Sequence, residues 1–169
     1  MKRSEIKTGD ILLYHSTTFL SRAIQWFEKC PWSHASLAFD IWNQVLISEA
    51  ERKGLMANDI DYSIGKCKIL VLRPKFTIDA IALDKFVALN LGKHGYGFFR
   101  LIVIQAIWQL FHRWIIDESK GEKLRRVICG MWAAYVYFKL SNGLYFDTWY
   151  RDTPKSLFES DLFDHFELE

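Results

Sequence analysis

Residues 128–140 constrain the fold more than any other part of the chain. Cys129, Trp132, Ala133, Val136, Tyr137 and Leu140 recur at helical spacing and form one stripe. The opposite side carries Gly130, Met131, Ala134 and Phe138 and is apolar too. A helix without a polar face must be covered all round, so this one belongs inside a domain.

The rest of the sequence supplies the cover. Gly9-Asp10 is a turn signal, and Ile11-Leu12-Leu13-Tyr14 reads as a short strand. Ser16-Thr17-Thr18 offers N-caps to a helix with Leu20, Ala23, Ile24 and Phe27 at helical spacing, stopped by Pro31. Residues 34–39 and 45–50 read as two strands of a hairpin turning near Asn43, and Gly54 marks the next loop. Residues 67–73 form another strand, closed by Pro74. Thr77 caps a helix over 78–91, and the glycine-rich run 92–97 separates it from a longer helix over 98–116 and a polar loop over 117–123. Thr153-Pro154 places an N-cap before proline at the first helical position. Strands come first and helices later, which predicts an α+β layout with an antiparallel sheet.

With 169 residues the chain fits a single domain over 1–169, carrying a helical insert around 78–120. Its 22 basic and 20 acidic residues leave a net charge of +2, and no Lys/Arg run exceeds Arg125-Arg126, which argues against a nucleic-acid partner. Cys30, Cys67 and Cys129 are odd in number and form no CxxC pair. No thiolate metal site, disulfide framework or cofactor is therefore expected. The start Met1-Lys2-Arg3 lacks a following apolar run, so no secretory signal is expected, and the location is read as cytoplasmic or left open. Residues 98–116 are apolar but broken by Arg100, Gln105, Gln109, His112 and Arg113. A spanning helix with those groups would be costly; a buried or interfacial one is the expectation.

Three residues stand out chemically. Cys129 lies at the head of the buried helix, where unpaired N–H groups and the positive end of the helix dipole favour thiolate over thiol. Arg125 and Arg126, just upstream, would add to this if they point inward. The same N–H groups can hold a developing oxyanion. His34 opens a strand and Glu49 lies near the end of its hairpin partner, so an imidazole and a carboxylate fall on neighbouring strands far from the turn. Their offsets from Asn43, nine and six residues, require an irregular register or an earlier turn. Each residue also has an ordinary reading: a small core side chain, a hydrogen-bonded histidine, an outward strand carboxylate. Glu51 shares a strand face with Glu49. The residues alone leave both readings open.

Taken in order, the segments resemble a known family. Gly9-Asp10-Ile11-Leu12-Leu13-Tyr14, Ser21-Arg22-Ala23-Ile24, Trp32-Ser33-His34-Ala35-Ser36-Leu37, Ser48-Glu49-Ala50 with Gly54, Ile128-Cys129-Gly130-Met131-Trp132, and Thr153-Pro154 with Leu157 are similar to the permuted papain-like enzymes of the YiiX and YebB kind. These belong to the NlpC-type peptidase superfamily, which includes the lecithin retinol acyltransferase-like enzymes. The resemblance covers nearly the whole chain, and the order His, Glu, Cys reverses that of papain. Family members often carry a small polar residue after the cysteine, where this chain has Gly130.

The resemblance implies a circularly permuted papain-like fold, an antiparallel sheet or half-barrel packed against the cysteine-bearing helix. It implies Cys129 as nucleophile, His34 as base and Glu49 as the residue orienting it. The activity it implies is cleavage of an amide, in a cell-wall peptide or an N-acyl lipid, through an acyl-enzyme. An acyltransferase and a non-catalytic binding module are the alternatives. The apolar stretch 98–116 suggests contact with a membrane surface. His15, His94, His112 and His165 match no motif position, and Trp149 and Tyr150 are candidates to roof the site.

Overall fold

The computed structural model describes residues 1–51, 54–62, 64, 66–93, 95–96, 126–127, 129–147, 149 and 152–169. The helix expected over 98–116 and the loop over 117–123 lie outside the described residues.

An open six-stranded antiparallel sheet forms the frame, in the order β4-β3-β2-β1-β5-β8. Its strands are β1 (Ile11–His15), β2 (His34–Ile41), β3 (Gln44–Glu51), β4 (Gly54–Asp59), β5 (Lys68–Pro74) and β8 (Phe163–Glu167). A separate parallel pair joins β6 (Gly95–Tyr96) to β7 (Arg126–Val127). The helices are α1 (Phe19–Glu28), α2 (Ala80–Asn90), α3 (Cys129–Leu140) and α4 (Pro154–Phe158).

Strand β1 is central, and both of its faces are covered. Ile11 and Leu13 join the cluster that packs on α3, while Leu12 and Tyr14 join a smaller cluster with Ala38, Ile47 and Val71. That explains its unbroken apolar run, since a strand covered on both sides has no polar face to alternate with. Helix α3 is buried from Cys129 to Tyr137, as its all-round apolar sequence requires.

The Gly9-Asp10 turn is a structural hub. Gly9 has φ +90°, a backbone conformation that strains a residue carrying a Cβ, so glycine is needed there. Asp10 is buried and accepts from Arg73 Nε at 2.9 Å, Arg73 Nη2 at 2.7 Å and the Lys7 amide at 2.9 Å. The Tyr137 hydroxyl donates to the Gly9 carbonyl, tying the turn to α3.

The structure corrects several local readings. Gly54 opens strand β4 instead of marking a loop, and pairs with Glu51. Asp79, not Thr77, caps α2: its carboxylate accepts from the Ala82 amide at 3.0 Å, and the helix starts two residues later than expected. The β2–β3 turn is Trp42-Asn43, with φ of 54° and 63°, between the paired residues Ile41 and Gln44. Two consecutive positive φ values make a tight two-residue hairpin, so the register is regular. Thr153 caps α4 as expected, accepting from Ser156 N at 3.3 Å ahead of Pro154. Among the described residues no helix is long and apolar enough to cross a membrane.

Candidate functional site

Strand β2 begins at His34 and helix α3 begins at Cys129. These two starts meet at one end of the sheet. Trp132, one turn into α3, fixes the helix head: its Nε1 donates to Ser48 Oγ at 2.9 Å, and Ser48 donates on to the Leu37 carbonyl at 3.1 Å. One buried hydroxyl thus joins α3 to β2 and β3. On the other side, β7 pairs with β6 just before Cys129 and lies against β4.

The β2–β3 ladder ends at Leu37 and Ser48. Extending its register would set Ser36 opposite Glu49 and put His34 diagonally across from it, on the same face. At that spacing long side chains still reach. His34 Nε2 meets Glu49 Oε2 at 2.8 Å, and Asn58 Nδ2 donates to Glu49 Oε1 at 2.8 Å. The carboxylate is buried, and each oxygen has a partner. Nε2 is committed to Glu49, and Cys129 is the neighbouring group that acts most strongly to raise the imidazole. Strands β2, β3 and β4 and helix α3 therefore contribute one residue each to a continuous line: Cys129, His34, Glu49, Asn58.

The electrostatics follow from that line. Burial would push the His34 imidazole down. The charge and hydrogen bond of Cys129, followed by the hydrogen bond and charge of Glu49, overcome this and lift it to about 10. Burial would push Glu49 up, but the His34 contact and the Asn58 amide hold it below its ordinary value. Tyr14 packs its ring 5.5 Å from that of His34, and its hydroxyl bonds Ser36 Oγ at 2.7 Å. Burial and the nearby Glu49 charge raise the phenol strongly, so it stays protonated. Chemically, an imidazole set beside a thiol at a helix start and held by a carboxylate can exchange a proton with a bound substrate.

The three residues nominated from sequence are thus brought together. Asn58 was missed, because it stands on β4, the strand the sequence did not disclose. Glu49 is the carboxylate bonded to His34. Of the other candidates, His15 Nδ1 bonds the Pro31 carbonyl at 2.7 Å, and His165 stacks on Phe158 at 5.2 Å. His94, His112, Arg125 and Tyr150 lie outside the described residues, and Arg126 is in β7. Trp149 is a core residue, its ring 4.7 Å from Tyr135, and is no roof. Gly130 is explained by space: a Cβ there would meet Thr153 C at 2.7 Å and Asp152 O at 2.9 Å. The backbone leading into α4 occupies the place of a side chain.

Cys30 and Cys67, the other two thiols, are both pushed up by burial. Two buried carboxyls lie near α4. Burial raises Glu28 to about 7 although its Oε2 accepts the Lys155 amide at 3.3 Å, and Oε1 has no hydrogen-bond partner among the described residues. Burial raises Asp152 to about 6.

No family model matches the sequence. No curated protein matches it either. Among solved structures, the chain is similar to the crystal structure of metalloprotein yiiX from Escherichia coli O157:H7. The TM-score is 0.66 at 16% identity, over 95% of this chain and 96% of that one. At this identity the likeness speaks for the fold, and the chain has a YiiX-like fold. Among the described residues no group of three His, Cys, Asp or Glu side chains is arranged to hold a metal ion.

Proposed function

We propose that this protein is a thiol hydrolase of the circularly permuted papain-like kind that cleaves an amide through an acyl-enzyme. Cys129 is the nucleophile, His34 the proton carrier and Glu49 the group that holds the imidazole. One observation carries the reading: the His34 imidazole, beside Cys129, is held by buried Glu49 at 2.8 Å, which Asn58 holds in turn. An imidazole placed beside both a thiol and a carboxylate can take up the thiol proton, which is the transfer this chemistry needs.

In this mechanism Cys129 Sγ attacks the amide carbon, and the carbonyl oxygen becomes an oxyanion facing the first N–H groups of α3. His34 gives its proton to the nitrogen, the C–N bond breaks, and an amine leaves. Water then attacks the thioester, His34 takes a proton from it, and collapse releases the acid and the thiolate. Glu49 stays ionised and keeps the ring from turning. Cell-wall peptide amides and N-acyl lipid amides are the substrate classes that fit the resemblance. If an amine or alcohol replaces water in the second step, the same site becomes an acyltransferase; product analysis with and without an added acceptor separates the two.

Alkylation tests the central point. Iodoacetamide near pH 6 is expected to label Cys129 to stoichiometry while Cys30 and Cys67 react slowly, and His34→Ala is expected to abolish that selectivity. Labelling of Cys129 at the rate of an ordinary thiol would refute the enzyme and favour a binding module of the same fold.

A further inference from the structure

Helix α1 is built the wrong way round for a core helix. At about 100° per residue, Phe19 and Trp26 lie within about 20° of each other on one face, with Ala23 close by. Phe19 is 91% exposed and Trp26 71%. Arg22, beside that face, and Lys29, the left-handed residue that ends the helix, are also exposed. The side turned toward the domain is largely polar. Gln25 Nε2 donates to the Ser16 carbonyl at 3.0 Å, and buried Glu28 accepts from Lys155 N. Ile24 adds an apolar contact to the core. Polar groups therefore do much of the anchoring while the large aromatics face out.

We propose that α1 docks on an anionic lipid surface, with Phe19 and Trp26 entering the headgroup layer and Arg22 and Lys29 meeting lipid phosphates. Charge complementarity selects this occupant. The only carboxylate on α1, Glu28, is buried, so the exposed cations have no acidic neighbour on their own helix. A second copy docking through the same face would bring no carboxylate on α1 to pair with them. Aromatic rings flanked by Arg and Lys match the layered polarity of a lipid interface, where rings sit at headgroup depth and cations bind the anionic surface.

The placement has a consequence for substrate. Residues 29–33 lead directly from α1 to His34, and the Ser33 amide bonds the Tyr14 carbonyl at 3.0 Å. A docked α1 would hold the Cys129–His34 end of the sheet near the membrane, where an N-acyl lipid amide would be found. That last step rests on the proposed function; docking itself does not.

Sedimentation of the full chain with vesicles tests the docking. Binding is expected to vesicles of mixed phosphatidylcholine and phosphatidylglycerol, and much less to phosphatidylcholine alone. Phe19→Ser with Trp26→Ser should weaken it at least about tenfold, and Arg22→Gln with Lys29→Gln about thirtyfold at low salt. These side chains are exposed, and circular dichroism should confirm that both variants fold. Cys129→Ser should bind as the parent does, which separates this result from the thiol chemistry. Binding that ignores lipid charge, or survives the aromatic substitutions, would overturn the proposal. So would a parent protein that self-associates through this face and leaves vesicles untouched.

Discussion

Substituting Gly130 by alanine sets two known effects against each other, and the structure says which wins. Replacing glycine within a helix by alanine ordinarily gains up to about 1 kcal/mol. Here the new Cβ would lie 2.7 Å from Thr153 C, 2.8 Å from Thr153 Cα and 2.9 Å from Asp152 O. All three are backbone atoms, so no side-chain rotation relieves the overlap. To restore contacts near 3.5 Å, residues 152–153 must withdraw by about 0.8 Å. That segment is held by the Thr153 cap and by the Lys155 amide on Glu28. Overpacking costs about 1–3 kcal/mol, and a weakened cap adds about 1 kcal/mol. After subtracting the helix gain, a net loss of about 2 kcal/mol is expected, which lowers Tm by about 4–8 °C in a chain of this size. Thermal unfolding followed by circular dichroism, with a urea titration to confirm an unchanged slope, measures it. A Tm equal to the parent's, or higher, would refute the claim that backbone fills the space beside Gly130.

Three further outcomes can be checked the same way. Arg73→Gln strips two hydrogen bonds from buried Asp10 and leaves its charge uncompensated, so urea titration should show a loss of about 3–5 kcal/mol; a loss below 1 kcal/mol would contradict that role. Glu28 is an acid whose folded pKa is raised from 4.5 to about 7, so its effect favours folding below 4.5 and is withdrawn as pH climbs to about 7. The amount lost is about 3 kcal/mol at roughly 1.4 kcal/mol per unit, and Glu28→Gln should flatten this limb in urea titrations across that range, leaving the smaller part due to Asp152. Asn58→Ala removes the donor to Glu49 Oε1, and the rate of Cys129 alkylation at pH 6 should fall about tenfold. Partial recovery in Asn58→Gln would mark it as a positioning residue, whereas an unaltered rate would remove it from the line.

The parts of the fold that announce themselves in sequence are those whose burial is strong enough to leave a pattern. Helix α3 and strands β1, β2, β3 and β5 carry long apolar runs because at least one face of each is packed. Strand β4 carries no such run. Gly54-Leu55-Met56-Ala57-Asn58-Asp59 lacks β-branched residues and starts at a glycine with φ +120°; it is a strand because β3 offers it an edge. Strand β8 keeps only Phe163 buried and exposes the rest, so no alternation betrays it. On α1 the expected apolar stripe holds only in part: Ile24 reaches the core, yet Leu20 is 38% exposed, because Glu28 must turn inward to meet the start of α4.

The site follows the same logic one level up. Residue type and chain order are enough to nominate His34, Glu49 and Cys129, since a thiol at a helix head needs a base and the base needs an anchor. Their meeting depends on geometry that no single segment encodes. The hairpin must turn at Trp42-Asn43, between paired Ile41 and Gln44, and this register sets Glu49 diagonal to His34 on the same face. Residues 34, 36 and 38 share one face of β2, while 35, 37 and 39 share the other, which packs on α3. His34 thus starts on the face turned away from the helix that carries Cys129. The imidazole reaches that helix because His34 is the first residue of its strand and Cys129 the first of its helix. Moved two residues along the strand, the same histidine would sit where Ser36 is, buried beside Tyr14. The contact is therefore a property of where two elements begin, and a one-residue change in either start would break it while leaving every apolar pattern in the sequence intact.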